Sequence, residues 1–381
     1  MDFDFSKDQK MIQASAREFL EKECPFDKVR ELEDGIEGFD REMWKKMADL
    51  GWMGIIFPEE YYGTGGDLID LMILMEEMGR KLLPSPFFAT MALCALPILK
   101  YGQSEQKGTF LPAISEGEKI WTLALTESTD SYAPSQIKCS ATFKGKDYRL
   151  SGTKLFVPYA QVADHFLVVA KREGDEMTVF IVGGKTPGIA AKGIPTTAHD
   201  KLYEVEFEDV AVPQQHILGD AGTGKDIVNF ILQEGAILKC AEMVGAIQAA
   251  FEITNDYAKK RTQFDRPIGS FQAIQHKLAD MLIDIEGLRY LVYEAAWRLS
   301  IGSASELLIS MAKAKANEVY QRACIECMRV HGAIGFTREH DIGLYHLRTK
   351  AWEFALGDSF FHKERIAGQL EQYMPPISVL R

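Results

Sequence analysis

With 381 residues, 46% of them hydrophobic, the chain is long enough for two or three domains around a large core. A formal net charge of −12 argues against nucleic acid as the main partner. No apolar run reaches the roughly 18 residues that a membrane-spanning helix needs, and the opening MDFDFSKDQK has no signal-like apolar segment, so a cytoplasmic protein without a membrane span is expected. The six cysteines (Cys24, Cys94, Cys139, Cys240, Cys324 and Cys327) are too scattered for a disulfide framework. Cys324 and Cys327 fall inside a helical pattern with no second Cys or His pair, which points to buried small hydrophobes and to no metal site.

In chain order, Ser6 and Gln9 have capping-box spacing, and Met11, Ile12, Ala16, Phe19 and Leu20 recur behind them at the helical period. The pattern continues from Arg41 to Leu50 and ends at Gly51. A loop over 54–67 is marked by Pro58, Gly63, Gly65 and Gly66. The segment 68–83 is apolar on most faces, as a central bundle helix would be, and Pro84 and Pro86 end it. Another helix is predicted from Ala92 to Tyr101 with a kink at Pro97, and a last one closing near Leu111 and Pro112. Near Lys119 the period changes to two. Segments 120–127, 148–158, 165–172, 177–184 and 203–213 are short and rich in β-branched and aromatic residues, as strands are. The stretch 219–225 has the spacing of a phosphate-binding loop, but Asp226 stands where a Ser or Thr must reach magnesium. A glycine-rich hinge is the better reading. Helical periodicity then returns over 227–258, after Phe271, and over 288–299, 307–330 and 344–370. The expected fold is α+β in three domains: an N-terminal helical bundle (1–117), a middle antiparallel β-barrel or sandwich (118–224), and a C-terminal four-helix-type bundle (225–381).

The stretch from Tyr257 to Met281 reads YAKKRTQFDRPIGSFQAIQHKLADM, a helix, a tight turn at Ile268-Gly269-Ser270 and a second helix. It groups Arg261, Phe264, Arg266 and Gln272, a set able to hold a phosphate and stack on a flat ring. The alternative is that the arginines cap helix carbonyls and face water. RTQFDRPIGSFQAIQHKLADM resembles the most recognisable segment of the acyl-CoA dehydrogenases, FAD flavoproteins that desaturate acyl-CoA thioesters, and the α-β-α order extends the resemblance over the whole chain. The resemblance implies that Arg261, Phe264 and Gln272 grip FAD across a subunit interface. In MRVHGAIGFTREHDIGLY it assigns Arg329, Gly332 and Ala333 to the pyrophosphate, with Arg329 in place of the usual Gln and Ala333 in place of a second Gly. Leu123, Leu125 and Thr126 match the strand beside the flavin. Phe156 and Val157 match the loop beside it, with Phe156 replacing Trp and Pro158 replacing Thr. The loop from Ser128 to Tyr132 departs from the family's Gly- and Ser-rich form, and Thr90, Met91 and Cys94 fall where members line the acyl pocket.

Desaturation removes the Cα proton while a hydride leaves Cβ, so a carboxylate must sit near Cα. The two positions at which the family places a Glu correspond to Leu356, followed by Gly357, and to Gly235. Neither is acidic. Glu234, about 100° of helix from Gly235, and Asp358, two residues beyond Leu356, are the candidate replacements, each with an alternative as a solvent-facing or capping carboxylate. Two other readings stay open: proton removal from a different carbon, as in members acting on cyclic acyl-CoAs, and a non-catalytic or half-site subunit of a heteromer. The resemblance also implies a homotetramer, or a heterotetramer with a related subunit, and an electron-transferring flavoprotein as acceptor. His331 is expected to be a hydrogen-bonded structural histidine, and His340, His346 and His362 to ride helix surfaces.

Overall fold

The computed structural model describes residues 4–128, 132, 136–174, 176–220 and 222–373, so the altered loop from Ser128 to Tyr132 lies mostly outside them. The helices are α1 (Lys7–Glu23), α2 (Phe26–Asp34), α3 (Arg41–Asp49), α4 (Leu68–Lys81), α5 (Phe87–Thr90), α6 (Leu96–Tyr101), α7 (Ser104–Ser115), α8 (Gly224–Lys260), α9 (Gln272–Ser300), α10 (Glu306–His331), α11 (Ile342–Phe354) and α12 (Ser359–Tyr373). The strands are β1 (Trp121–Ala124), β2 (Ser140–Lys144), β3 (Asp147–Pro158), β4 (His165–Lys171), β5 (Met177–Gly183), β6 (Ile189–Ile194), β7 (Leu202–Pro213), β8 (Thr262–Gln263) and β9 (Arg266–Pro267). The chain forms two compact units. One gathers Met1–Asp27, Leu68–Leu83 and Gly235–Arg381; the other gathers Lys28–Asp67 and Pro84–Glu234.

In the first, helical unit, α1 starts where the capping box predicts: the Gln9 amide donates to Ser6 Oγ, and the Ser6 amide to Gln9 Oε1, both at 3.1 Å. The centre of the unit is the crossing of α4 and α8. A Cβ on Gly79 would stand 1.9 Å from the Glu242 carbonyl oxygen, and one on Gly245 would stand 1.8 Å from that of Glu76. Each helix therefore presents a glycine to the other's backbone three residues from the carbonyl that the partner glycine meets. Such proximity leaves no room for water, so the carboxylates on this face of α4 take protein partners. Glu76 is held by Arg289 and accepts from Tyr293 Oη at 2.6 Å, and Glu77 is held by Arg17 at 2.6 and 2.9 Å.

In the second unit one sheet runs in the order β1-β4-β2-β3-β7-β6, with β5 on β4. One set of its apolar residues, among them Leu150, Val168, Phe180 and Val205, is fully buried. The sheet is mixed, not purely antiparallel as expected: β1 runs parallel to β4, pairing Trp121 with His165. β2 and β6 escaped the periodicity because they are mostly exposed, and β6 is built from Ile, Ala, Lys and Gly. The end of β1 is tied to β3 by a buried ion pair. Lys154 Nζ donates to Glu127 Oε1 at 2.6 Å and to the Leu125 carbonyl at 3.1 Å. Glu127 also accepts from the Lys138 and Cys139 amides at 2.7 and 3.0 Å. Burial alone would raise the Glu127 carboxyl, but Lys154 and the two amides outweigh it and hold it below the usual range.

Three helix boundaries differ from expectation. The helix before Tyr101 widens into a π-turn at Met91–Ala95, upstream of Pro97, instead of kinking at it; the missing Pro97 N–H falls in the first turn of α6, where it costs nothing. The helices expected after Phe271 and over 288–299 are one, α9, because Gly287 lies in open space and need not break it. The helix expected over 344–370 is two, divided at 355–358. The presumed hinge is pinned: a Cβ on Gly224 would lie 2.1 Å from the Met177 carbonyl oxygen. His362, placed on a surface by its sequence context, is 4% exposed and donates from Nε2 to the Leu356 carbonyl at 3.1 Å, because the 355–358 turn folds back over it.

Gly79→Ala is expected to destabilise the chain. Overpacking of ~1–3 kcal/mol exceeds the ~1 kcal/mol gained in helix propensity, and an unchanged urea midpoint would show the α4–α8 crossing to be looser than drawn. Lys154→Met leaves the Glu127 carboxylate buried without its cation and should cost ~3–5 kcal/mol in the same assay, whereas an exposed pair would cost under ~1 kcal/mol.

Candidate active site

Within the second unit, the chain brings the residues assigned to the flavin side together. Leu123 and Leu125 are buried at the end of β1, and the Leu155 amide donates to the Thr126 carbonyl at 2.9 Å. Val157 is buried, and Phe156 is half exposed at a φ of 55°. That left-handed backbone sits in the bulge between Lys154 and Val157 and turns the Phe156 ring out of the sheet. Thr90, Met91 and Cys94 are fully buried, on a segment that packs on β1. Thr90 Oγ1 donates to the Trp121 carbonyl and accepts from the Trp121 amide, both at 3.1 Å.

Glu234 lies on the stretch of α8 that belongs to the same unit. It is 8% exposed, and its Oε2 is buried without a hydrogen-bond partner among the described residues. Burial pushes the carboxyl up to about 7, against the opposing pull of Lys100. Lys100 Nζ sits 4.2 Å above the ring of Phe230, one helical turn before Glu234, and Tyr101 meets the same ring edge-on at 5.6 Å. A carboxyl raised to about 7 can take up or release a proton near neutral pH.

Within the helical unit, β8 and β9 pair as a tight hairpin with Phe264 and Asp265 at its tip, at φ values of 53° and 65°. Phe264 is 85% exposed, and Arg261 and Gln272 are exposed beside it. Arg266 is spent on the Phe271 ring, 4.0 Å from its centroid. Tyr257 stacks on His331 at 4.4 Å, so the hairpin end of α8 and the turn after α10 share one end of the bundle. His331 Nδ1 contacts the Cys327 carbonyl at 2.8 Å. Gly332, at φ 67° and ψ −143°, has open space where a Cβ would be, Ala333 is exposed, and Arg329 is paired with Glu326. Exposed guanidinium and amide donors, an outward aromatic and a glycine beside open space fit the phosphates and flat rings of FAD.

The 355–358 turn of this unit is ordered by a buried cation. Lys313 Nζ donates to the carbonyls of Trp352, Glu353 and Gly357 at 3.1, 3.0 and 3.2 Å and to Asn317 Oδ1 at 2.6 Å. Burial lowers the Lys313 ammonium to about 8. Leu356 is buried at a φ of 60°, and Gly357 follows at 107°. Asp358 caps α12, its Oδ1 accepting from the Phe361 amide at 2.8 Å. Sequence reasoning missed Lys100 and Lys313. Neither has a local signal, since each acts on residues brought to it only by the fold.

Three family profiles match the chain: "Acyl-CoA dehydrogenase, N-terminal domain" over residues 6–118, "middle domain" over 122–210 and "C-terminal domain" over 222–371. The "Acyl-CoA dehydrogenase, short-chain specific" of Clostridium acetobutylicum is 31% identical, over 97% of this chain and all of that protein. The solved butyryl-CoA dehydrogenase of Megasphaera elsdenii superposes with a TM-score of 0.92 at 30% identity, covering 97% of this chain and 100% of that one. A chain of the ChsE4-ChsE5 complex from Mycobacterium tuberculosis gives 0.90 at 30% identity, over 98% and 100%. No helix among the described residues is long and apolar enough to cross a membrane. In sequence and in three-dimensional structure alike, the chain belongs to the acyl-CoA dehydrogenase family of FAD-dependent oxidoreductases.

Proposed function

We propose that this chain desaturates an acyl-CoA thioester at the α,β position, with Glu234 as the base. The observation that carries this reading is the buried Glu234 carboxyl with an unpartnered oxygen and a proton affinity poised near neutrality. The Cα–H bond breaks toward Glu234, whose oxygen takes the proton, and the freed electron pair becomes the second Cα–Cβ bond as the hydride departs from Cβ. FAD, when bound, supplies the acceptor for that hydride. Arg261, Phe264 and Gln272 are the residues we assign to its grip, with Arg329, Gly332 and Ala333 along the pyrophosphate. Leu123, Leu125, Thr126, Phe156 and Val157 are assigned to the ring, and Thr90, Met91, Cys94, Leu356 and Gly357 to the acyl group. Asp358 is the weaker candidate as base because it is engaged as a helix cap. A straight short chain fits the names of the relatives above; a cyclic or dicarboxylic acyl group remains within the same chemistry. We also propose a tetramer in the cytoplasm that passes electrons to an electron-transferring flavoprotein. In support of assembly, Ile283, Tyr290 and Trp297 recur every seventh residue of α9 with 70%, 50% and 40% exposure, an apolar stripe suited to a second helix.

A second reading is favoured by one observation: neither family base position is acidic, one being Leu356 and the other Gly235. In that reading the chain is a half-site subunit that needs a base-bearing partner. The similarity to a chain of a two-protein complex is in keeping with it.

Anaerobic addition of straight, dicarboxylic and cyclic acyl-CoAs to the yellow holoprotein should bleach the flavin band with at least one of them. Glu234→Gln should slow bleaching ~10²- to 10⁴-fold, and Asp358→Asn should leave the chemical step near the wild-type rate. A protein that is colourless alone, or that no thioester bleaches, favours the half-site reading.

Stability carries a separate signature. The folded carboxyl is raised to about 7 from 4.5, so its contribution is fully present below about 4.5 and is lost as pH rises through about 7. At alkaline pH the ionised side chain should cost about 3 kcal/mol relative to its protonated form. Urea unfolding between about pH 5 and 9 should show that decline in the wild type and a flatter curve for Glu234→Gln.

A further inference from the structure

We propose that Lys100 is the counter-charge that keeps Glu234 ready to accept a proton, seated for that task on the ring of Phe230. The inference rests on the reading of Glu234 as the base and adds a positioning residue to it. Three observations lead there. Lys100 lies in the last turn of α6 with its ammonium 4.2 Å above the Phe230 ring, and Tyr101 braces that ring edge-on from the same helix. Phe230 and Glu234 are four residues apart on α8, so an ammonium over the ring stands on the helix face from which the Glu234 side chain projects. Glu234 is more than nine-tenths buried with Oε2 unpartnered among the described residues, while Lys100 is exposed.

No direct ion pair between the two exists among the described residues. A direct pair would lock the carboxylate as an anion and occupy the oxygens that must take the proton. A cation held at one remove favours ionisation while leaving those oxygens free. From α6 the groups that act here are Lys100 and Tyr101, whose hydroxyl is itself pushed up by burial and then by Asp226 and Glu234; on α8 it is Asp226, two turns earlier. Lys100 is thus the positive group facing Glu234 in this cluster.

The test is the pH dependence of kcat/KM with a thioester that bleaches the holoenzyme. Lys100→Met should move the acid limb to higher pH, lowering the rate near pH 6 by roughly three- to tenfold, the size of one partly screened charge. The alkaline plateau should match the wild type. Lys100→Arg should restore the wild-type profile, and Phe230→Leu, which removes the seat but keeps the charge, should shift the limb the same way by less. Glu234→Gln is the reference. If it is inactive and the Lys100→Met limb does not move, or if Lys100→Met loses rate equally at every pH, the proposal is overturned. If Glu234→Gln stays fully active, the reading of Glu234 as base falls, and the proposal falls with it. An infrared titration of the Glu234 carboxyl stretch, assigned by its loss in Glu234→Gln, should rise in midpoint in Lys100→Met. An unmoved midpoint also overturns the proposal.

Discussion

The structure depends on how closely α4 and α8 approach. α8 runs for 37 residues, and its mid-section, Ala236 to Ile247, is buried on every face. A helix with no solvent face must be packed all round, and only Gly79 and Gly245 let α4 come near enough to close one side. The consequence is a long rigid rod. Gly235, the position that some family members use for the base, and Arg261, just beyond the far end, are 26 residues apart, or ~40 Å at 1.5 Å per residue. In the proposed reading, the cofactor grip at Arg261 and the start of α8 stand at opposite ends of this rod.

The buried carboxylates divide by what surrounds them. Glu76, Glu77, Glu127 and Glu242 are each paired with a basic side chain: Arg289, Arg17, Lys154 and Lys239. Removing a cation from such a pair strands a charge, so these residues hold elements together. Among the described residues Glu234 has no ion-pair partner, and Lys100 stands over the ring of Phe230, one turn before it. Its burial is therefore a cost to folding at neutral pH that the fold does not offset locally. A cost of that kind is found where function retains it.

Much of this was legible from residues alone, and the parts that were not share a cause. Long amphipathic or fully apolar segments such as α1, α4 and α10 announce themselves because their period is repeated many times. β6 has too few apolar residues to show a period, and the parallel pairing of β1 with β4 is a matter of topology on which alternation is silent. The division between α11 and α12 was hidden because the apolar residues on either side keep a helical spacing, while the break is made by Lys313, which collects three carbonyls from the turn. In the candidate site, local motifs marked the hairpin at Phe264 and the strand at Leu125. Lys100 was invisible, since nothing in the sequence ties the end of α6 to the first turns of α8.

That same turn is committed to holding its own backbone together. With Leu356 and Gly357 both at positive φ, the Leu356 carbonyl is taken by His362 and the Gly357 carbonyl by Lys313. Burial lowers the His362 imidazole to about 4, so at neutral pH it is an uncharged donor to that carbonyl and offers no cation to an acid placed there. Asp358 is the turn's own carboxylate, and releasing it from its cap would free the start of α12, at a cost of ~1 kcal/mol. The turn is thus organised by backbone carbonyls and a lysine, without a spare acid. Glu234 has the opposite arrangement: a rigid helix beneath it, an unpartnered oxygen, and a charge held close by but not in contact. Of the two ends at which a carboxylate is available, only the α8 end leaves one uncommitted.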